Sequence, residues 1–279
     1  MQPKLGIIAG GGHLPRRIID VCRASERAYY VIGIEGHAIA EDIQDTPHSW
    51  IRIGSSGTGI NILKNELVKE IVMIGDVKVP SFKNMRPDFR TAFFFAKIAV
   101  KSIFSFVGDN GLLSAAAREL EKEGLKVIGV DQILEDLLVP EGVLGSVGVS
   151  DAFEADIKFG ISAAHQLGER DAGQAVIVKS GAVIIEEDQS GTAEMIKRSQ
   201  STSPSGVGGI LIKLKKPGQD RRMDLPSIGV GTVLQAKEAG LAGIILQAGE
   251  TIVIDIGAVR AAADEHNIFI QALRLDEAP

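Results

Sequence analysis

Cysteine occurs once in these 279 residues, at Cys22; tryptophan occurs once and tyrosine twice. A single thiol excludes an intrachain disulfide and any zinc centre built on several cysteines, and it fits a reducing compartment. Histidine is scarce too: His13, His37, His48, His165 and His266 show none of the spacing of a histidine metal motif. A metal site here has to be oxygen-rich, which points to Mg2+, with Mn2+ as the alternative, and away from zinc. Positive charge is not in surplus either. The net charge of −6 argues against nucleic acid as a partner, since that needs a basic face, and leaves room only for local basic sites. Long apolar runs are missing. Ala92-Phe-Phe-Phe-Ala96 stops at Lys97, well short of the ~20 residues of a membrane span. Leu5 to Ala9 is too short for the core of a signal peptide. The expected setting is the cytoplasm, with the protein soluble or peripheral to a membrane.

What is present is the composition of a globular protein, 45% hydrophobic and 24% charged. An apolar run at 4–9 enters Gly10-Gly-Gly12, and helical spacing follows over 16–27. A strand at 29–34, a helix at 60–69 and a strand at 71–74 ending on Gly75-Asp76 come next, then helices at 89–106 and 112–123 and a strand at 125–130. Strands alternating with helices predict a mostly parallel, doubly wound sheet. Pro140, Gly142 and Gly145 mark a connector, so the chain divides into domains 1–134 and 135–279. The second half predicts a helix at 152–166, a hairpin of 175–179 and 182–186 about Ser180-Gly181, and a short helix at 192–198. A serine- and proline-bearing linker at 199–206 leads to a strand ending near Lys215. A helix at 232–239, strands at 243–246 and 252–256 and a helix at 259–265 complete the α/β pattern.

Three places could carry chemistry. Between the strand ending near Lys215 and the helix at 232, Lys215, Lys216, Asp220, Arg221, Arg222 and Asp224 crowd onto one connection. A carboxylate such as Asp224 can hold Mg2+ or orient a water while the cations neutralise a diphosphate. From charge alone a solvated turn is an equal reading. The Gly10–Gly12 turn can bring backbone N–H groups onto a phosphate. Its dinucleotide fingerprint is incomplete, because Pro15 stands at the third glycine position, and Glu35 sits where a ribose-binding acid would. Gly191-Thr192 and Asp109 open helices and read first as caps, second as anion contacts. The phenylalanines of 89–106, interleaved with Arg90, Lys97 and Lys101, read as core or as a lipid-facing surface.

Taken together, Gly6-Ile-Ile-Ala-Gly-Gly-Gly-x-Leu-Pro15, Gly108-Asp109, Glu121-Lys-Glu-Gly124, Leu167-Gly168, Asp171-x-Gly-Gln174, Gly191-Thr192 and Lys216-Pro-Gly-Gln-Asp-Arg-x-x-Asp-Leu-Pro226 resemble the UDP-2,3-diacylglucosamine pyrophosphatase family of lipid A biosynthesis. The resemblance spans nearly the whole chain. It implies a Rossmann-like N-terminal domain, a second α/β domain that carries catalysis, and a ligand cleft between them. It also implies Mg2+-dependent attack of water on the α-phosphorus of UDP-2,3-diacylglucosamine, releasing UMP and 2,3-diacylglucosamine 1-phosphate (lipid X). Asp224 matches the family's catalytic aspartate, with Arg221 and Lys215 as stabilisers of phosphate charge and Asp224 and Asp220 as candidate metal ligands. Candidate substrate contacts are Gly10, Gly11, Gly12, Leu14, Asp109, Glu187, Gly191, Thr192 and Gln219. A lipid substrate implies transient contact of a cytoplasmic protein with the inner membrane; monomer or homodimer stays open. The chain departs from the family pattern at Thr58, Val79, Asn110 and Ala193, each a loss of charge. A non-catalytic nucleotide-sugar or lipid-binding homologue is therefore the alternative.

Overall fold

The computed structural model describes residues 2–77, 88, 91–92, 109–201 and 208–275, the side chains of 109–113 and 135 excepted. The chain separates into two compact units, Met1–Leu134 and Glu135–Pro279.

In the first unit β1 (Leu5–Ala9) is apolar throughout and buried almost entirely, as a strand covered on both faces must be. α1 (Leu14–Ala24) carries Pro15 in its first turn and buries Pro15, Ile18, Ile19 and Cys22, a stripe at helical spacing. Then come β2 (Tyr29–Ile34), the one-turn α2 (Ala40–Ile43), β3 (His48–Ile51), α3 (Ser56–Asn65), β4 (Glu70–Ile74), α4 (Asp109–Lys122) and β5 (Lys126–Val127). All pairings are parallel and the order is β3-β2-β1-β4-β5, so the doubly wound sheet expected from the alternation is present.

Boundaries differ where distant residues decide them. α3 begins ahead of the expected residue 60, because the Asp88 carboxylate accepts the N–H groups of Gly57 at 3.0 Å and Thr58 at 3.4 Å and so caps a glycine-rich first turn. The strand expected at 125–130 is reduced to β5, since the chain turns at Val130–Gln132. β3 and α2 lie in a stretch where polar residues hide any period. The phenylalanine-bearing helix expected at 89–106 lies outside the described residues apart from the helical Thr91 and Ala92.

The second unit holds β6 (Gly142–Val143), α5 (Glu154–Glu169), β7 (Ala175–Lys179), β8 (Ala182–Glu186), α6 (Thr192–Gln200), β9 (Ile210–Lys213), β10 (Ser227–Ile228), α7 (Val230–Glu238), β11 (Gly243–Gln247), β12 (Ile252–Val253), α8 (Ile256–Glu265) and β13 (Phe269–Leu273). Six strands form one mixed sheet in the order β6-β13-β11-β9-β7-β8, with β13, β11 and β9 parallel and β7 reversed. Alternate residues feed two buried layers. Ala164, Leu167, Val176, Ile210, Ile212 and Ile245 form one beneath α5, while Ile177, Leu211, Ile244 and Leu246 meet Met195, Val233, Ala236 and Val259 of α6, α7 and α8 in the other. The hairpin of β7 and β8 has φ of 52° at Ser180 and 74° at Gly181, the primed turn that suits strand twist. Buried Asp156 of α5 clamps it, accepting Ser180 N–H at 2.8 Å and Gly181 N–H at 2.6 Å. Where a strand to residue 256 was expected, β12 ends at Val253 and Asp255, with φ of 57°, caps α8 through Ala258 N–H. No helix among the described residues is long and apolar enough to cross a membrane.

Candidate active site

In sheets of this kind ligands bind beyond the carboxyl ends of the strands. In the second unit that edge collects most of the charged candidates. β9 runs out through Lys213 into the loop 214–226, β11 runs out through Gln247 toward Glu250, and the antiparallel β7 begins at the same edge with Gln174 before it.

The loop is ordered by its own polar groups. Gln219, 5% exposed, accepts Lys216 N–H through Oε1 at 3.0 Å and donates Nε2–H to Asp224 Oδ2 at 2.7 Å. Its carboxamide thus aims the Asp224 carboxylate. Asp220 is held by Arg222 on both oxygens, at 2.9 Å through Nε and 2.7 Å through Nη2. Arg221 donates to Glu250 Oε1 at 2.6 Å and to Gly249 O at 3.1 Å, and Lys215 Nζ lies 3.3 Å from Glu250 Oε2. Lys216 pairs with Asp171 at 2.8 Å. The turn is therefore built around fixed ion pairs, with Lys215 and Arg221 sharing the Glu250 carboxylate.

Glu187 follows β8 and is 7% exposed. One of its oxygens takes the Thr192 hydroxyl and the other the Gln174 N–H at 2.7 Å. Gly191 caps α6 with φ of 84° and makes no side-chain cap bond, so Thr192 serves Glu187 and not the helix end.

The first unit carries the remaining candidates. Gly10 N–H donates to Ile74 O and Gly11 N–H to Asp76 O, each at 2.8 Å, while Asp76 N–H returns to Gly11 O at 3.1 Å. A Cβ on Gly10 would lie 2.6 Å from Gly75 O. Close approach of the loops after β1 and β4, the strands at which the order reverses, accounts for that glycine, and the two amides expected to face a phosphate already have backbone partners. Gly12, with φ of 82°, has open space around it, and α1 follows with no side-chain cap from His13, so Leu14 opens an uncapped first turn. Asp109 is the first residue of α4.

Residues 4–137 match the model of the LpxI N-terminal domain and residues 140–271 that of the LpxI C-terminal domain. The chain belongs to the LpxI family. It is 34% identical over 282 residues, covering 99% of both chains, to the UDP-2,3-diacylglucosamine pyrophosphatase LpxI of Caulobacter vibrioides. Among solved structures, the biotin carboxylase subunit of pyruvate carboxylase aligns at 16% identity with a TM-score of 0.26, over 73% of this chain and 41% of that one, a likeness too slight to carry an argument.

One edge of the second unit thus unites Asp224, Gln219, Asp220, Arg221 and Lys215 with Glu187, Gly191 and Thr192, whereas Gly10, Gly11, Gly12, Leu14 and Asp109 belong to the first unit. Lys213 was missed. It closes a strand of apolar alternation, where a lysine reads as the solvated end, yet it is 6% exposed and donates to Thr192 Oγ1 and Ser227 O, each at 2.9 Å. A lysine inside the run Ile210-Leu-Ile-Lys-Leu214, flanked on both sides by core residues, was the available signal.

Proposed function

We propose that this chain hydrolyses the pyrophosphate of UDP-2,3-diacylglucosamine in lipid A biosynthesis, water attacking the α-phosphorus to give UMP and 2,3-diacylglucosamine 1-phosphate. The observation that carries the reading is the full-length identity to the Caulobacter enzyme of that name. The carboxylate-and-cation edge of the second unit supports it, since phosphoryl transfer asks a protein mainly to position a nucleophile and neutralise charge.

In this reading Asp224 orients the attacking water, Gln219 holds the carboxylate in place, and Lys215 and Arg221 turn from Glu250 toward the developing phosphate charge. Thr192 and Gly191 contact substrate from α6. Mg2+ would be held by Asp224, with Asp220 the weaker candidate because Arg222 covers both of its oxygens. Among the described residues no three His, Cys, Asp or Glu side chains gather into a metal cage. That donor set suits an ion that keeps several waters and shares one or two carboxylates with substrate phosphates. When bound it supplies charge neutralisation on the diphosphate. Gly12, ahead of α1, and Leu14 in its uncapped first turn are proposed contacts for the nucleotide. A diacylated substrate brings the protein to the membrane surface transiently.

Incubation with UDP-2,3-diacylglucosamine and Mg2+ should release UMP, excess EDTA should stop it, and Asp224→Ala should lower kcat by ~10²–10³-fold. Binding of substrate with no UMP would mark a non-catalytic homologue. Turnover unchanged in EDTA would remove the metal, and wild-type rates in Asp224→Ala would remove the assignment of that residue.

A further inference from the structure

We infer that Lys213 is a positioning residue that fixes both halves of the active-site edge at once, the Thr192 hydroxyl on one side and the Asp224–Ser227 turn on the other. The inference rests on the hydrolase reading for its kinetic consequence and on the geometry alone for its structural one.

β9 lies between β7 and β11, with Lys213 in register with Ala175 on one side and Leu246 on the other. Its backbone is therefore held from both flanks, and its side chain starts from a rigid point. The ammonium is buried and donates to Thr192 Oγ1 and to Ser227 O. A lysine has donors only, so the Thr192 oxygen must accept from it, and the hydroxyl proton is directed to Glu187. The polarity of the chain is fixed: ammonium to hydroxyl to carboxylate. Buried charge needs a counter-charge, and Glu187 provides one through a single intervening hydroxyl while its second oxygen is engaged by Gln174 N–H. The other bond reaches the carbonyl three residues beyond Asp224, at the start of β10. One cation thus ties segments that the sequence sets on either side of it, and its removal frees both. Because a misplacement of about 1 Å can cost ~10²-fold in rate, the effect belongs in kcat and leaves KM nearly untouched.

The test is a cycle of Lys213→Met, Thr192→Val and the double variant, with Lys213→Arg and Thr192→Ser as rescues, assayed for UMP release below each melting temperature. Lys213→Met is expected to lower kcat by ~10²-fold with KM within about threefold of wild type, and Thr192→Val to lower kcat to a similar extent. The double variant should be no worse than the weaker single, since both act through one relay. Lys213→Arg and Thr192→Ser should recover about tenfold, because charge and hydroxyl return. Additive losses, or kcat near wild type in Lys213→Met, overturn the inference. If Lys213→Met does not fold, Thr192→Val against Thr192→Ser and Lys213→Arg decides by the same criteria. Hydrogen exchange separates this inference from the activity reading. Amides at 188–192 and of Leu225, Ser227 and Ile228 should exchange faster in Lys213→Met than in wild type, even if wild type releases no UMP and the hydrolase reading falls. Unchanged protection in both segments overturns the positioning role.

Discussion

A carbonyl oxygen stands where the first side-chain atom of residue 10 would go. Backbone cannot swing aside as the tip of a side chain can, so Gly10→Ala must push the loops after β1 and β4 apart. The expected loss is roughly 1–3 kcal/mol, read as a lower denaturation midpoint. Gly148→Ala, whose added Cβ meets nothing within 4 Å, should stay within about 0.5 kcal/mol of wild type. Equal midpoints for the two variants would contradict the packing account. The same position shows what was legible at this scale. The strand, glycine turn and helix are visible in the local pattern, but the partners of the Gly10 and Gly11 amides lie at and just beyond the end of β4, past three helices and two other strands, and no local pattern names them. Gln219 and Glu187 repeat the lesson. Both stand out in the sequence, and both hold a neighbour that no local pattern names, because a buried polar side chain satisfies a donor or acceptor beside it in the fold.

Elements were legible where their period was strong and local. α1, the hairpin of β7 and β8, and the parallel strands β1, β2, β4, β9 and β11 were expected, whereas β13 was not, the start of α3 depends on a carboxylate from Asp88 and the edge strand β3 has no clear alternation. Ties between elements are the part that periodicity cannot supply. Glu70, at the head of β4, accepts from Lys126 of β5 at 2.9 Å and from Arg27 before β2 at 2.7 Å. The Lys126 ammonium foremost, then Arg27, hold its carboxyl below the usual range against the opposing effect of partial burial. A carboxylate that binds its proton more weakly when folded stabilises above its ordinary pKa, and that contribution is lost as pH falls through the lowered folded value. Glu70→Gln should therefore cost about 1 kcal/mol at neutral pH, a modest figure because Lys126 is largely exposed. The gap between the two unfolding curves should narrow below about pH 4. A gap that is constant from pH 7 to pH 3 would exclude the ion pairs as its source.

The whole molecule is two units with separate interiors, each strand set finding its hydrogen-bond partners inside its own unit. Expressed alone, residues 135–279 should give one cooperative melting transition and the native circular dichroism of an α/β sheet. A broad, non-cooperative melt would mean that the unit needs the rest of the chain. The charged loop after β9 was legible as a candidate site because six ionisable residues on one connection are conspicuous; Lys213 was not, because burial is a property of the assembled sheet. The bridge between Gly11 and Asp76 has a further consequence in time. β1 is made well before β4, yet the loop that follows it takes its shape from carbonyls supplied only once β4 and the turn after it exist. Contacts of such long sequence separation form late, after the cost of closing the intervening chain has been met. During synthesis, then, β1 waits: a nascent chain halted before Gly75 can possess β1, α1 and β2 and still lack the loop between the first two.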